Sequence, residues 1–152
     1  MREALPAAFA HARSTYPAEC CGLLFQEASG SFRFAPIANV AGSATGQETS
    51  SRGQRDGYVM DSKELLAALE QNERAGGSLH AIVHSHPDVG AYFSREDKHM
   101  ALGGGDEPLW PGVRYLVISV RQGRVDAARL YTWDGASRDF LEEEVGDIAD
   151  IA

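Results

Sequence analysis

LHAIVHSHPDVGAYFSRED, residues 79–97, changes character halfway along, and its reading decides the fold. Residues 79–86 form an apolar run punctuated by histidines, the pattern of a central β-strand. Residues two apart on a strand point to the same face, so His84 and His86 project together while Ser85 points away. Pro87 ends the strand and Gly90 gives the following loop freedom to turn. The chain then re-enters as a short helix from Ser94 to about Leu102.

The flanking sequence alternates between helix and strand signals. Residues 3–14 predict a first helix, and 21–25 (CGLLF) a buried strand. Residues 31–40 predict a half-exposed strand with Phe32 and Phe34 on one face. In DSKELLAALEQNERAGG, 61–77, Asp61 and Glu64 make a capping-box start, Leu65, Leu66 and Leu69 give an apolar face, and Gly76 and Gly77 stop the helix. Strands follow at 113–120 and 124–133, joined by a turn at Gln122-Gly123, and 138–145 reads as a last strand or a short helix. This mixture predicts an α/β sandwich with a mixed sheet.

At 152 residues the chain fits one domain, 1–152, able to bury its core without disulfides or a structural metal. A formal net charge of −8 and scattered basic residues argue against a nucleic-acid binder, which needs clustered Lys and Arg against phosphates. No apolar run approaches the roughly 18 residues of a membrane span, and Pro6 and His11 interrupt the N-terminal stretch too early for a signal peptide. Cys20 and Cys21 are adjacent, a poor disulfide pair, and stand where buried inert cysteine is expected; a reducing cytoplasm follows as the expected location. Residues 41–57 lack apolar periodicity and read as a long exposed loop, either disordered or a lid or partner-binding segment.

Two readings of the opening stretch coexist. Ser94 and Asp97 match a capping box, with Ser94 as N-cap and Asp97 at the third helical position, and a His-x-His pair on a strand can simply pack. Yet the first helical turn favours an ionised carboxylate, and a serine that accepts a backbone N–H can still donate its own proton. Two histidines and one carboxylate suit zinc and leave its fourth position for water, as in a hydrolytic site rather than a closed structural one.

His84-Ser85-His86-Pro87, seven residues, then Ser94-Arg95-Glu96-Asp97 resemble the signature of the JAMM (MPN-plus) zinc metallopeptidases. YPAECCGLLF, residues 16–25, is similar to the segment where small stand-alone bacterial members carry a Glu before a strand. The resemblance implies a three-layer-like sandwich, broadly similar to the cytidine-deaminase fold. It also implies that His84, His86 and Asp97 bind one Zn2+ with water as fourth ligand. Glu19 would be the general base that relays the water's proton to the leaving amine, and Ser94 would stabilise the oxyanion. Local spacing does not connect Glu19 to the histidines; Glu96 is nearer but is expected to face elsewhere on its helix.

The same resemblance implies an isopeptidase acting after the C-terminal Gly-Gly of a ubiquitin-like sulfur-carrier protein or another peptide tail. The alternative is a catalytically inactive interaction scaffold of the same fold, although such relatives tend to lack the ligands retained here. A nucleobase deaminase would need His-x-Glu and Pro-Cys-x-x-Cys, and neither occurs. Phe93 stands where many family members have proline, which bears on the shape of the substrate groove. Residues 103–112 and the 41–57 loop are expected to wall that groove. Alternation along 79–86 puts His80 on the face of His84.

Overall fold

The computed structural model describes residues 1–43 and 53–146. A short 3-10 turn leads into α1 (Leu5–Thr15), β1 (Cys21–Gln26), β2 (Phe32–Ile37), α2 (Ser62–Arg74) and β3 (Ser78–Pro87). Then come α3 (Arg95–Leu102), β4 (Arg114–Arg121), β5 (Arg124–Asp134) and β6 (Asp139–Glu144). The strands form one sheet in the order β2-β1-β3-β4-β5-β6. β3 and β4 run parallel, joined across α3, and every other neighbouring pair is antiparallel. This is the α/β architecture with a mixed sheet that the sequence predicts, with 138–145 settling as a strand.

Helices cover both faces of the sheet. On α1, Leu5, Ala8, Phe9 and Ala12 recur at helical spacing and are fully buried against Leu24, Val83, Leu116, Ile118 and Leu130. On the opposite face α2 and α3 pack Leu65, Ala68, Leu69, Ala101 and Leu102 against Leu23, Phe25, Ile82 and Val117. Leu66, grouped by spacing with the apolar face of α2, is instead 58% exposed. It lies one position around the helix from Leu65, on the rim of that face.

Two glycines are dictated by close approach. A Cβ on Gly22 would stand 2.6 Å from the Phe34 ring and 2.7 Å from the Ala35 carbonyl, so β1 and β2 can pack this tightly only around glycine. Gly103 ends α3 at φ 57°, a left-handed cap, with Leu109 folded 2.6 Å from where its Cβ would be.

The two capping signatures behave differently. Ser94 and Asp97 form the full reciprocal box at the start of α3. At α2, Asp61 accepts the N–H groups of Lys63 and Glu64, but the Glu64 carboxylate turns away and accepts the Ala38 N–H at 2.7 Å. The Asp61 N–H is already taken by the Ala38 carbonyl, so no donor remains to close the box.

A bulge corrects the expected face of His80. Leu24 pairs with Ala81 but Phe25 pairs with Leu79, leaving His80 as the extra residue. Its ring meets Phe32 edge-on at 4.8 Å, on the α1 side of the sheet and away from His84.

Candidate metal centre and cleft

The apolar run of β3 stops at Val83, and the end of the strand delivers His84 and His86 into the α2/α3 face at the point where the core gives way to a cleft. His84 is fully buried and His86 5% exposed. Pro87 and the left-handed Asp88 (φ 60°) turn the chain, and α3 begins beside the histidines with Asp97 in its first turn. The Nε2 atoms of the two histidines lie 3.2 Å apart. His84 Nε2 is 3.3 Å from Asp97 Oδ1, and His86 Nε2 is 3.4 Å from Asp97 Oδ2.

These spacings fit a bound ion. Ligand bonds of about 2.0–2.1 Å in a tetrahedron put neighbouring ligand atoms about 3.3–3.4 Å apart, close to the separation of the two histidine nitrogens, each of which faces a different oxygen of the Asp97 carboxylate. The three side chains form the group of His and acidic residues in the described chain that could hold a metal. His86 Nδ1 donates to the Gly90 carbonyl at 3.1 Å, which leaves the lone pair of neutral imidazole on Nε2, facing the cluster. His84 Nδ1 is buried and has no hydrogen-bond partner among the described residues, so that ring's polar interaction is made through Nε2.

The three side chains shift one another's protonation. Burial alone would raise the Asp97 carboxyl, but hydrogen bonds to His84 and His86, the His84 charge and the Ser94 contact hold it well below the usual carboxylate range. Burial lowers His84, keeping it in the neutral form a ligand requires. Burial also works against the charged form of His86, but the Asp97 hydrogen bond and charge, with Glu19 adding to them, raise it overall, so that an ion taking Nε2 would displace a proton there. An anion and two imidazole nitrogens thus converge on one small volume.

The turn after β3 is held carbonyl by carbonyl. Val89 O accepts from Ser119 Oγ at 2.5 Å and Gly90 O from His86, while Ala91 O lies 2.9 Å from the Tyr131 hydroxyl, whose single proton it shares with the Glu142 carboxylate. Ser119 and Tyr131 are buried. Asp88 in turn accepts from the Tyr16 hydroxyl at 2.8 Å and from the Gln122 N–H at 3.0 Å. The loop that orients His86 is therefore anchored to β4, to β5 and to the segment that follows α1.

Glu19 reaches the site through strand register. Cys21 of β1 pairs with His84 of β3, and the ladder continues as the Cys20 carbonyl accepts the Ser85 N–H while Cys20 N–H donates to Ser85 Oγ at 2.8 Å. Carrying the register on sets Glu19 opposite His86, on the same face. Glu19 is 7% exposed and lines an open cleft of about 320 Å³ with His86, Ser94 and Asp97. Ser85, facing away from the histidines as expected, is what fastens the Glu19 segment to β3.

Residues 55–59 form one wall of the cleft, and Val89, Tyr92, Glu96 and Met100 line the other. Glu96 thus faces the cleft, contrary to expectation, because α3 starts at its edge and exposes most of its first turn there. Residues 103–112 do not line it among the described residues; they fold back on α3 through Leu109 N–H and Ala101 O. Of the 41–57 loop, 44–52 lie outside the described residues. Tyr58, which no spacing singled out, stacks on His84 at 4.8 Å and 24°, and Tyr92 tilts against His86 at 5.2 Å. The cysteines are buried as expected: burial pushes the Cys20 thiol up to about 12 and raises Cys21 as well, which excludes them as thiolate nucleophiles near neutrality. Among the described residues no helix is long and apolar enough to cross a membrane.

Known proteins share this arrangement of sequence. The family model of prokaryotic homologues of the JAB domain matches residues 1–133. A desampylase of Haloferax volcanii is 31% identical over 121 residues, 78% of this chain and 72% of that protein. Tail tip assembly protein K of Escherichia phage N15 is 31% identical over 97 residues, 64% of this chain but 33% of that longer protein. Among solved structures, protein DSY2949 from Desulfitobacterium hafniense superposes with a TM-score of 0.67 at 26% identity, covering 93% of this chain and 86% of that one. A Salinibacter ruber protein, TM-score 0.54 at 22% identity over 91% and 82% of the chains, shares the fold. The chain belongs to the prokaryotic JAB family, the JAMM family that its His-Ser-His-Pro and Ser-x-x-Asp motif resembles.

Proposed function

We propose that the protein is a zinc-dependent JAMM-type isopeptidase that hydrolyses the amide bond after the C-terminal Gly-Gly of a ubiquitin-like sulfur carrier. The observation that carries this reading is the convergence of His84, His86 and Asp97, with one potential ligand atom from each within 4.8 Å of the others, and Glu19 on the wall of the same cleft. Those three residues would hold the zinc, which when bound acidifies water towards pH 7 and polarises a carbonyl. Glu19, nearly buried yet on the cleft wall, takes the attacking water's proton and hands it to the leaving amine. Ser94 Oγ accepts the Asp97 N–H at 3.0 Å, and its own hydroxyl proton is free to donate to the developing oxyanion.

The cleft also suits a tail. Val59 O accepts the Val40 N–H, so 57–60 runs as an extended segment beside 38–40. Among the described residues the intervening Tyr58 N–H and C=O have no hydrogen-bond partner. A Gly-Gly tail, lacking side chains, can lie against such a segment by main-chain pairing and pass close to the histidines. The name of the Haloferax volcanii relative, a desampylase, points to the same class of reaction. Incubation of the zinc-loaded protein with a carrier extended beyond Gly-Gly should yield, by intact-mass spectrometry, one product ending in that pair. Cleavage at other positions would remove the Gly-Gly assignment, and no cleavage of any carrier tail would favour the scaffold reading.

A further inference from the structure

Beside the cleft, one half-buried side chain has every hydrogen-bonding position in use. Asn39 Nδ2 donates to the Glu19 carbonyl at 3.0 Å and to the Gly57 carbonyl at 3.1 Å. Its Oδ1 accepts the N–H groups of Ala41 and Val59, both at 3.0 Å. A carboxamide offers two N–H donors and two acceptor lone pairs, so none is left over. The cluster extends one residue further: Gln54 Nε2 donates to Asn39 O at 2.6 Å, and the Glu19 N–H donates to Gln54 O at 2.6 Å.

The consequence is that both main-chain polar groups of Glu19 are tied to this cluster, one directly to Asn39 and one through Gln54. The same amide grips Gly57 and Val59, the residues either side of Tyr58, whose ring stacks on His84. No other residue type reproduces the pattern. Aspartate keeps the two acceptor bonds but sets a carboxylate oxygen against two carbonyl oxygens; alanine and serine are too short; glutamine is one methylene too long.

We infer that Asn39 is a positioning residue for the reaction: by fixing the main chain of Glu19 and of the Tyr58 wall together, it sets the Glu19 carboxylate against the His84–His86–Asp97 cluster. It touches neither substrate nor ion. This rests on the reading of Glu19 as the proton carrier, and it adds a requirement for the amide donors of residue 39. Misplacing a catalytic group by about 1 Å can cost about 100-fold in rate.

The test compares Asn39→Asp and Asn39→Ala with the unaltered protein, each also in a Glu19→Gln background. Zinc content, thermal midpoint, and kcat and KM on a carrier with an extended tail are measured per folded, zinc-loaded molecule. Asn39→Asp is expected to keep its zinc and lower kcat by about 10- to 100-fold with a smaller change in KM. Added to Glu19→Gln it should slow turnover no further, because its effect passes through Glu19. A kcat within twofold of the unaltered protein for both variants, or an effect that multiplies in the Glu19→Gln background, overturns the inference. Asn39→Ala applies the same criteria without a buried charge should the aspartate variant not fold.

An unaltered protein that cleaves no carrier tail overturns the reading of the reaction instead. Amide hydrogen exchange then decides the role of Asn39 independently. In segments 18–20 and 57–59, the Glu19, Cys20 and Val59 amides, each hydrogen-bonded in the unaltered protein, should exchange at least about tenfold faster in Asn39→Ala, with β4 and β5 unchanged. Equal exchange in those two segments overturns the inference.

Discussion

β3 presents two faces with opposite destinies. Ala81, Val83 and Ser85 enter the α1 side, where the core is closed and apolar and Ser85 is spent on fastening Cys20. Ile82, His84 and His86 enter the other side, where the same alternation runs from core into cleft within two residues. The difference lies in what covers each face. α1 reaches across β3, β4 and β5, whereas α3 starts only after the turn at 88–93 and leaves the last residues of β3 bordering solvent. A strand can thus stabilise a fold with one face and expose a reactive group with the other, provided the covering helix begins late.

Three substitutions sharpen that contrast. The largest effect is expected from Asp97→Asn, whose amide oxygen can still accept the Ser94 N–H and keep the cap while losing the charge. Native mass spectrometry after zinc reconstitution should find one ion per chain in the unaltered protein and none in the variant, with peptidase activity at background and far-UV dichroism unchanged. Retention of the ion would dissolve the distinction between the faces. Next is Glu19→Gln: zinc content should be preserved while turnover falls by about 10²- to 10⁴-fold, the usual contribution of a general base. A fully active variant would remove Glu19 from the chemistry. The smallest is Val83→Ala on the closed face, expected to cost about 2 kcal/mol in denaturant unfolding and to leave zinc stoichiometry untouched. If Val83→Ala releases zinc, the two faces are not separable.

The elements were legible because their signals are local. Apolar runs marked β1, β3 and β4, and Ser94 with Asp97 marked the start of α3. The site was legible in part for the same reason, since His84, His86 and Asp97 fall within one short stretch. What escaped depends on register and on partners remote in sequence. His80 changed face because of a bulge that only the β1–β3 pairing reveals. Glu64 left its box for Ala38, 26 positions away, and Asn39 gathers groups 18 and 20 positions away. Spacing within a window carries no trace of such bonds. A polar residue just beyond an apolar strand, as Asn39 is beyond Ile37, was the available hint.

The parallel pairing of β3 with β4 has a consequence for the order in which the site comes together during folding. The crossover that a parallel neighbour demands returns the chain at once to the end of β3, so the three candidate ion ligands meet by closing a loop of 13 positions. Glu19 arrives only when β1 docks on β3, a contact spanning 65 positions in the Cys20–Ser85 bond. Closing that longer loop costs about 1.4 kcal/mol more in chain entropy. On the proposed reading, a partly assembled chain gathers the candidate ion ligands before Glu19 joins them. On that reading, hydrolytic competence comes last, with the completed sheet.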